Sequence, residues 1–262
     1  MSKLSVKEYW DETYHSAHQD TIEVSGFRNY SSQKIFDSIK QMNLNNKKIL
    51  EIGAGDSQWL PFLATQFPTA ELTGLDYSEI GCKKLSDKAE RLGLDIKVIQ
   101  ADLFEPPAEC FEAYDVILSF GVVEHFDELD RVMIGISQYL KPSGHIYTII
   151  PNMSGLLGKL TKVYDVEVYN IHNPHTLQST LEGHARAKLT VKSSGFICSN
   201  NFSVLSSCVD LSNSSKTSWW KRFSYLWASR LTSLVWLFEN RFFELPKTRL
   251  LSPYIYCITQ KN

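Results

Sequence analysis

The sequence predicts an α/β protein built on a doubly wound, mainly parallel sheet, and three observations carry that expectation. Strand-like runs alternate with helical stretches between residues 49 and 150. One of them, Ile49-Leu50-Glu51-Ile52-Gly53-Ala54-Gly55-Asp56, is an apolar strand running into a glycine turn. A carboxylate, Asp76, then closes the next strand-like run about 20 residues further on. Ligands of such sheets bind beyond the carboxyl ends of the strands, where Gly53, Asp76, Asp102 and Phe120 fall.

Taken in order, Val6, Tyr9, Trp10 and Tyr14 recur at helix-like intervals within residues 5–19, and Ser31 to Met42 reads as a second helix. Ile49 to Gly53 is the first strand. Ser57 to Phe67 follows as a helix, with Pro61 near its first turn, where a missing N–H is tolerated. Glu71 to Asp76, Ile96 to Gln100, Val116 to Phe120 and His145 to Ile150 read as strands, with helices at Ser78 to Leu92 and Asp127 to Leu140 between them. After Pro151 the composition shifts. Asn152 to Pro174 reads as a loop over the site, His175 to Gly195 as a helix, Phe196 to Val204 as a strand, and Ser206 to Thr217 as a Ser/Asn-rich linker. Ser252 to Gln260 alternates enough to be the last strand. The expected organisation is an N-terminal helical cap (1–43), a cofactor-binding core (44–151) and a substrate-cover region (152–262) holding the last two strands of the same domain.

Two nucleoside cofactors suit the glycine turn and Asp76. A dinucleotide fingerprint needs a third glycine three residues after the second, so that helix and strand close around a pyrophosphate. That position is Gln58, beside the bulky Trp59. S-adenosylmethionine has no pyrophosphate, and its ammonium and sulfonium match the charge of Glu51, which a pyrophosphate would not. Glycines at positions 53 and 55 let the backbone approach the ligand, with Ala54 between them. Asp76 at the second strand tip is placed to take ribose hydroxyls, and Tyr77 to lie against adenine. The residues favour S-adenosylmethionine.

Five segments in order resemble the successive motifs of class I S-adenosylmethionine-dependent methyltransferases: Glu51-Ile52-Gly53-Ala54-Gly55, Gly74-Leu75-Asp76-Tyr77-Ser78, Ala101-Asp102-Leu103, Tyr114-Asp115-Val116-Ile117-Leu118-Ser119-Phe120 and Leu140-Lys141-Pro142-Ser143-Gly144-His145. They span residues 48–151. The resemblance implies a Rossmann-like seven-stranded sheet whose last strand is antiparallel, a helical cover insertion, and methyl transfer. It also implies that Asp102 accepts from the adenine amino group while the Leu103 N–H donates to the ring. Phe120 and Gly121 would line the methionine portion. An aromatic insertion before the last strand implies a sugar, lipid-linked glycan precursor or other natural-product scaffold as acceptor, methylated on oxygen or nitrogen. No Asn/Asp-Pro-Pro-Tyr motif of amino-methylating nucleic-acid enzymes is present.

The sulfonium already activates the methyl group, so the protein must align a nucleophile and accept a proton. His125 is the candidate base and Glu124 its alternative; both follow the fourth strand, just before a helix N-terminus at Asp127. His172, His175 and His184 have no coherent metal spacing, and no metal is expected. The 262 residues are 43% hydrophobic and 21% charged with a net charge of -2, ordinary for a soluble protein and no basis for a nucleic-acid partner. Five cysteines without a C-x-x-C pair read as reduced thiols. With a polar Met1 to Asp11 and no apolar run of about 18 residues, the expected location is the cytoplasm.

Trp220, Phe223, Trp227, Leu231, Leu234, Phe238, Phe242 and Leu245 form one stripe of an amphipathic helix over Trp219 to Leu245, with Lys221, Arg222, Arg230 and Arg241 off it. A basic, Trp-rich helix can lie in a membrane interface, which would make the protein peripheral to the inner membrane face. Trp219, Leu237 and Phe243 widen the stripe and favour packing instead, on the core, the cover or a second copy in a homodimer. Two rival functions are a catalytically inactive S-adenosylmethionine-binding partner subunit and a nucleotide-dependent oxidoreductase.

Overall fold

The computed structural model describes residues 7–14, 20–26, 29–209 and 218–262. Parts of two sequence expectations, the helix within 5–19 and the linker Ser206 to Thr217, lie outside them. The strands are β1 (Lys48–Ile52), β2 (Glu71–Asp76), β3 (Ile96–Gln100), β4 (Tyr114–Phe120), β5 (Leu140–Pro151), β6 (Leu189–Ile197) and β7 (Tyr254–Lys261). They form one seven-stranded sheet in the order β3-β2-β1-β4-β5-β7-β6. β1 to β5 pair in parallel, and β7 runs antiparallel to both β5 and β6. The order reverses between β1 and β4. The crevice expected of a doubly wound sheet therefore opens at their carboxyl ends.

Helices α1 (Lys7–Tyr14), α2 (Tyr30–Ile39), α3 (Trp59–Gln66), α4 (Glu79–Leu92) and α5 (Leu129–Ser137) accompany the core. The central strands are apolar on both faces, since both are covered: Ile49, Leu118 and Tyr147 belong to one buried cluster with Ile39 and Leu63, and Leu50, Ile117 and Ile146 to another with Val132 and Ile136. α4 shows how the local sequence sets an element. Ser78 caps it by accepting from the Gly81 N–H at 3.0 Å, and Gly93 ends it in the left-handed conformation.

Beyond Pro151 the structure corrects three expectations. The segment read as a loop contains two helices, α6 (Leu156–Tyr164) and α7 (Val166–Asn170). Leu157 and Tyr164 bury themselves against Leu205 and Tyr225, a long-range contact that overrides the loop-like composition. The strand expected at Phe196 to Val204 is β6, from Leu189 to Ile197, preceded by a shorter helix α8 (Leu177–Arg186). β6 is an edge strand whose Thr190, Val191 and Lys192 are exposed, so its apolar alternation is weak. The aromatic helix α9 (Trp219–Arg241) buries Tyr225, Thr232, Trp236 and Glu239. Trp236 Nε1 donates to the Asn200 carbonyl at 3.0 Å, and Thr232 Oγ1 accepts from the Phe202 N–H at 3.0 Å. The stripe expected to pack, Trp220 to Phe242, faces outward within this chain: Trp227 is 56% exposed and Leu234 64%. Polar anchors, not apolar periodicity, chose the buried face. Among the described residues no helix is long and apolar enough to cross a membrane.

Candidate active site

β1 ends at Ile52 and the chain turns at once. Gly53 takes φ +72°, and a Cβ there would strike Val122. Its N–H and that of Ala54 donate to the Leu75 carbonyl at 2.8 and 3.0 Å, tying the turn to β2. From behind, the buried Lys88 ammonium on α4 pairs with the Asp56 carboxylate at 2.7 Å and donates to the Asp56 and Ser57 carbonyls, each at 3.1 Å. Ser57 Oγ accepts from the Trp59 and Leu60 N–H groups at the start of α3 and donates to Glu51 at 2.9 Å. Glu51 is thus a buried support of the turn. Burial pushes its carboxyl up to about 8, against the pull of the Ser57 hydroxyl.

Asp76, at the tip of β2, is buried and accepts hydrogen bonds from the Gly55 N–H (2.8 Å), the Ser78 N–H (2.8 Å) and the Tyr14 hydroxyl (3.2 Å). Burial raises its pKa, and these donors oppose the rise. Tyr14 lies across Gly55, where any Cβ would overlap its ring. The glycine therefore makes room for an aromatic as well as for a ligand. Burial and the neighbouring Asp76 carboxylate both hold the Tyr14 phenol protonated.

A cavity of about 240 Å³ opens over these strand tips. Its wall includes Gly53, Gly55, Asp76, Tyr77, Asp102, Leu103, Phe120, Gly121, His125, Trp10 and Tyr14, but not Glu51 or Ala54. Asp102 accepts from the Phe104 N–H at 3.0 Å, an Asx turn that holds the loop after β3 open toward the cavity. The Phe120 ring stacks on Trp59 with centroids 5.1 Å apart and planes 5° from parallel.

His125, which lines the cavity, ends the short 3-10 turn Val123–His125, and residues 171–173 bond to that turn from outside the cavity wall. His125 Nδ1 lies 2.7 Å from the Ile171 carbonyl, and the Glu124 carbonyl accepts from the Asn173 N–H at 2.7 Å. His172 packs against the His125 ring (centroids 4.7 Å apart), with Trp10 on it edge-on at 4.9 Å. Burial, then the neighbouring His172, lowers the His125 pKa to about 4; burial raises the Glu124 carboxyl to about 8.

Residues 50–146 match the methyltransferase domain family model. The phthiotriol/phenolphthiotriol dimycocerosates methyltransferase of Mycobacterium leprae (strain TN) is 26% identical over 106 residues, 40% of this chain and 38% of that protein. Protein-lysine N-methyltransferase EFM4 of Saccharomyces cerevisiae is 31% identical over 143 residues, 47% of this chain and 59% of its own length. The chain thus spans less than two thirds of these curated relatives. Over nearly its whole length the fold is similar to geranyl diphosphate C-methyltransferase from Streptomyces coelicolor A3(2), solved with Mg2+, geranyl diphosphate and S-adenosyl-L-homocysteine. The TM-score is 0.65, the identity 14%, and the coverage 98% of this chain and 96% of that one.

The family-model match, the methyltransferase relatives and the structural neighbours together support a class I S-adenosylmethionine-dependent methyltransferase.

Gly53, Gly55, Asp76, Tyr77, Asp102, Leu103, Phe120 and His125 converge on one cavity. Glu51 and Ala54 stand behind it. Glu124 is buried beside His125, while His184 is a core histidine bonded to Thr148 and the Thr180 carbonyl. Sequence reasoning missed Lys88. A lysine among Cys82, Leu85 and Ala89 on the buried face of α4 was the available signal. It also missed that His172 would join Glu124 and His125, a meeting that spans 47 positions and depends on α7.

Proposed function

We propose that this methyltransferase transfers a methyl group to an oxygen or nitrogen of a small molecule or biosynthetic intermediate. The observation that carries the reading is a single cavity running from Gly55 and Asp76 at one end to His125 at the other. S-adenosylmethionine lies across Gly53 to Gly55. Its ribose hydroxyls reach Asp76 in place of the Tyr14 hydroxyl, and its adenine lies between Tyr77 and the Asp102-Leu103 turn. The acceptor enters at the His125 end, in line with the carbon–sulfur bond. Its oxygen or nitrogen forms the new bond to carbon as S-adenosylhomocysteine leaves, and its proton departs toward His125, with Glu124 behind it.

The exposed face of α9 supports an amphiphilic acceptor. Trp219, Trp220, Phe223 and Trp227 are all well exposed, and Lys221, Arg222, Arg230 and Arg241 accompany them. Such a helix suits the surface of an anionic bilayer, where a lipid-linked glycan precursor would be met. A second copy covering the same face is the competing arrangement.

Calorimetry with S-adenosylhomocysteine and with NAD tests the cofactor. Binding of the first and not the second is expected, and the reverse would restore the oxidoreductase. A screen of sugar, lipid-linked and other small-molecule acceptors with labelled methyl donor tests the acceptor class. Cofactor binding without methylation of any acceptor would instead mark an inactive partner subunit.

A further inference from the structure

Around His125, which lines the cavity, sits a donor set that proton transfer alone does not account for. Glu124, His125 and His172 each offer one ligand atom, and the three atoms lie within 4.8 Å of one another. Each imidazole is oriented by the backbone: His125 Nδ1 faces the Ile171 carbonyl at 2.7 Å and His172 Nδ1 faces the Val168 carbonyl at 2.6 Å. A carbonyl oxygen only accepts, so each Nδ1 carries its ring's proton and each Nε2 keeps a lone pair. Holding one ring nitrogen on a backbone carbonyl while the other coordinates is the usual support of a metal-bound histidine.

Glu124 supplies the independent observation. It is 1% exposed, and its Oε2 is fully buried with no hydrogen-bond partner. Among the described residues no Lys or Arg forms an ion pair with it. A buried, unpartnered carboxylate oxygen costs about 1–3 kcal/mol or more, and a cation beside it removes that cost.

We propose that Glu124, His125 and His172 bind one divalent first-row transition-metal ion where His125 meets the cavity. Two imidazoles and a carboxylate suit zinc, iron or manganese, and leave open positions for an acceptor oxygen. Bound there, the acceptor hydroxyl is made more acidic. Its O–H bond breaks with the proton passing to water, the oxygen bonds to the methyl carbon, and the carbon–sulfur bond breaks to give neutral S-adenosylhomocysteine. This rests on the methyl-transfer reading above and goes beyond its proton step: in the metal-loaded protein His125 holds the ion that activates the acceptor, and direct proton transfer to His125 is left to the metal-free protein.

The test needs no acceptor. Full-length protein is stripped with chelator, exchanged into metal-free buffer and titrated with Zn2+ against a chromophoric chelator, and separately with Co2+ followed by visible absorption. S-adenosylhomocysteine affinity is measured on every sample. One equivalent of Zn2+ and a Co2+ spectrum of imidazole coordination are expected. His172→Asn keeps an N–H for the Val168 carbonyl but lacks the coordinating nitrogen; it and Glu124→Gln should each weaken Zn2+ binding by at least about tenfold. S-adenosylhomocysteine should still bind within threefold. Absence of stoichiometric Zn2+ binding in the wild-type protein, or binding unchanged in His172→Asn, would overturn the site. Loss of S-adenosylhomocysteine binding by the wild-type protein would overturn the cofactor reading instead, so the two failures are distinct.

Discussion

The two ends of the cavity are made by different means. The cofactor end is contiguous chain: a turn at Gly53–Gly55, a carboxylate at the tip of the adjacent strand, and a turn at Asp102, all within residues 52–103. Its backbone N–H groups are placed by the parallel strands and held from behind by Lys88, while the Tyr14 hydroxyl adds a bond to Asp76. The His125 end is held by two remote pieces, the turn Val123–His125 and the segment 171–173 behind it, joined by two hydrogen bonds of 2.7 Å. A universal ligand is met by geometry that any sheet of this order supplies.

The division is sharpest in kinetics. His125→Ala should lower turnover about a hundredfold or more, the usual worth of a group that manages the transferred proton or its substitute. S-adenosylhomocysteine affinity should stay within threefold, measured with whichever acceptor the screen returns. Full turnover in the variant would mean that the far wall is inert.

Asp76→Ala should do the reverse and weaken S-adenosylhomocysteine binding by about a hundredfold. Two hydrogen bonds to a charged acceptor are worth roughly 3 kcal/mol together. Calorimetry on a variant of unchanged far-ultraviolet circular dichroism decides it. An affinity within threefold of wild type would place the ribose elsewhere.

The same division explains what could be read in advance. Gly53, Asp76, Asp102 and Phe120 were legible because each sits at a strand end, and strands 71–76 and 96–100 are fixed by local alternation and turn residues. Lys88 and Ser57 were not, because their work is to hold the turn from behind and leaves no pattern beyond a polar residue on a buried face. The acceptor wall was half legible. Glu124 and His125 followed from their place after β4, whereas His172 needed α7, which in turn needed Asp165 to cap it by accepting from the Glu167 and Val168 N–H groups. α9 misled for a related reason: Trp236, Thr232 and Glu239 bury themselves through hydrogen bonds to distant backbone, which no apolar periodicity announces.

At the Asp76 end lies Tyr14, bonded to Asp76 and resting on Gly55. Gly55→Ala should cost about tenfold in S-adenosylhomocysteine affinity, since the new methyl group displaces the ring. Tyr14→Ala in that background should recover part of the loss, and a double-mutant cycle measures the coupling. Strict additivity would show that Gly55 serves the ligand alone.

The exposed face of α9 offers a smaller effect and a test outside the cavity. Sedimentation with phosphatidylcholine vesicles containing phosphatidylglycerol should carry the protein down. Arg230→Glu should weaken that binding severalfold, given about 1 kcal/mol per basic residue near an anionic surface. No sedimentation, together with a concentration-dependent dimer in ultracentrifugation, would assign the face to a second copy.

The smallest expected effect concerns the support behind the cofactor end. Burial raises Glu51 from its ordinary 4.5 to about 8, so the folded protein binds that proton more tightly than the unfolded chain does. The resulting stabilisation is present in full below about pH 4.5 and is lost as pH rises toward 8. Glu51→Gln accepts the Ser57 hydroxyl bond without a charge. The ligand-free variant should therefore lose less of its Tm between pH 5 and pH 8 than wild type, by roughly 2–4 °C for about 1 kcal/mol in a chain of this size. Because Ser57 also starts α3, a variant that instead melts lower at every pH would show that the carboxylate braces the turn through a bond the amide does not replace.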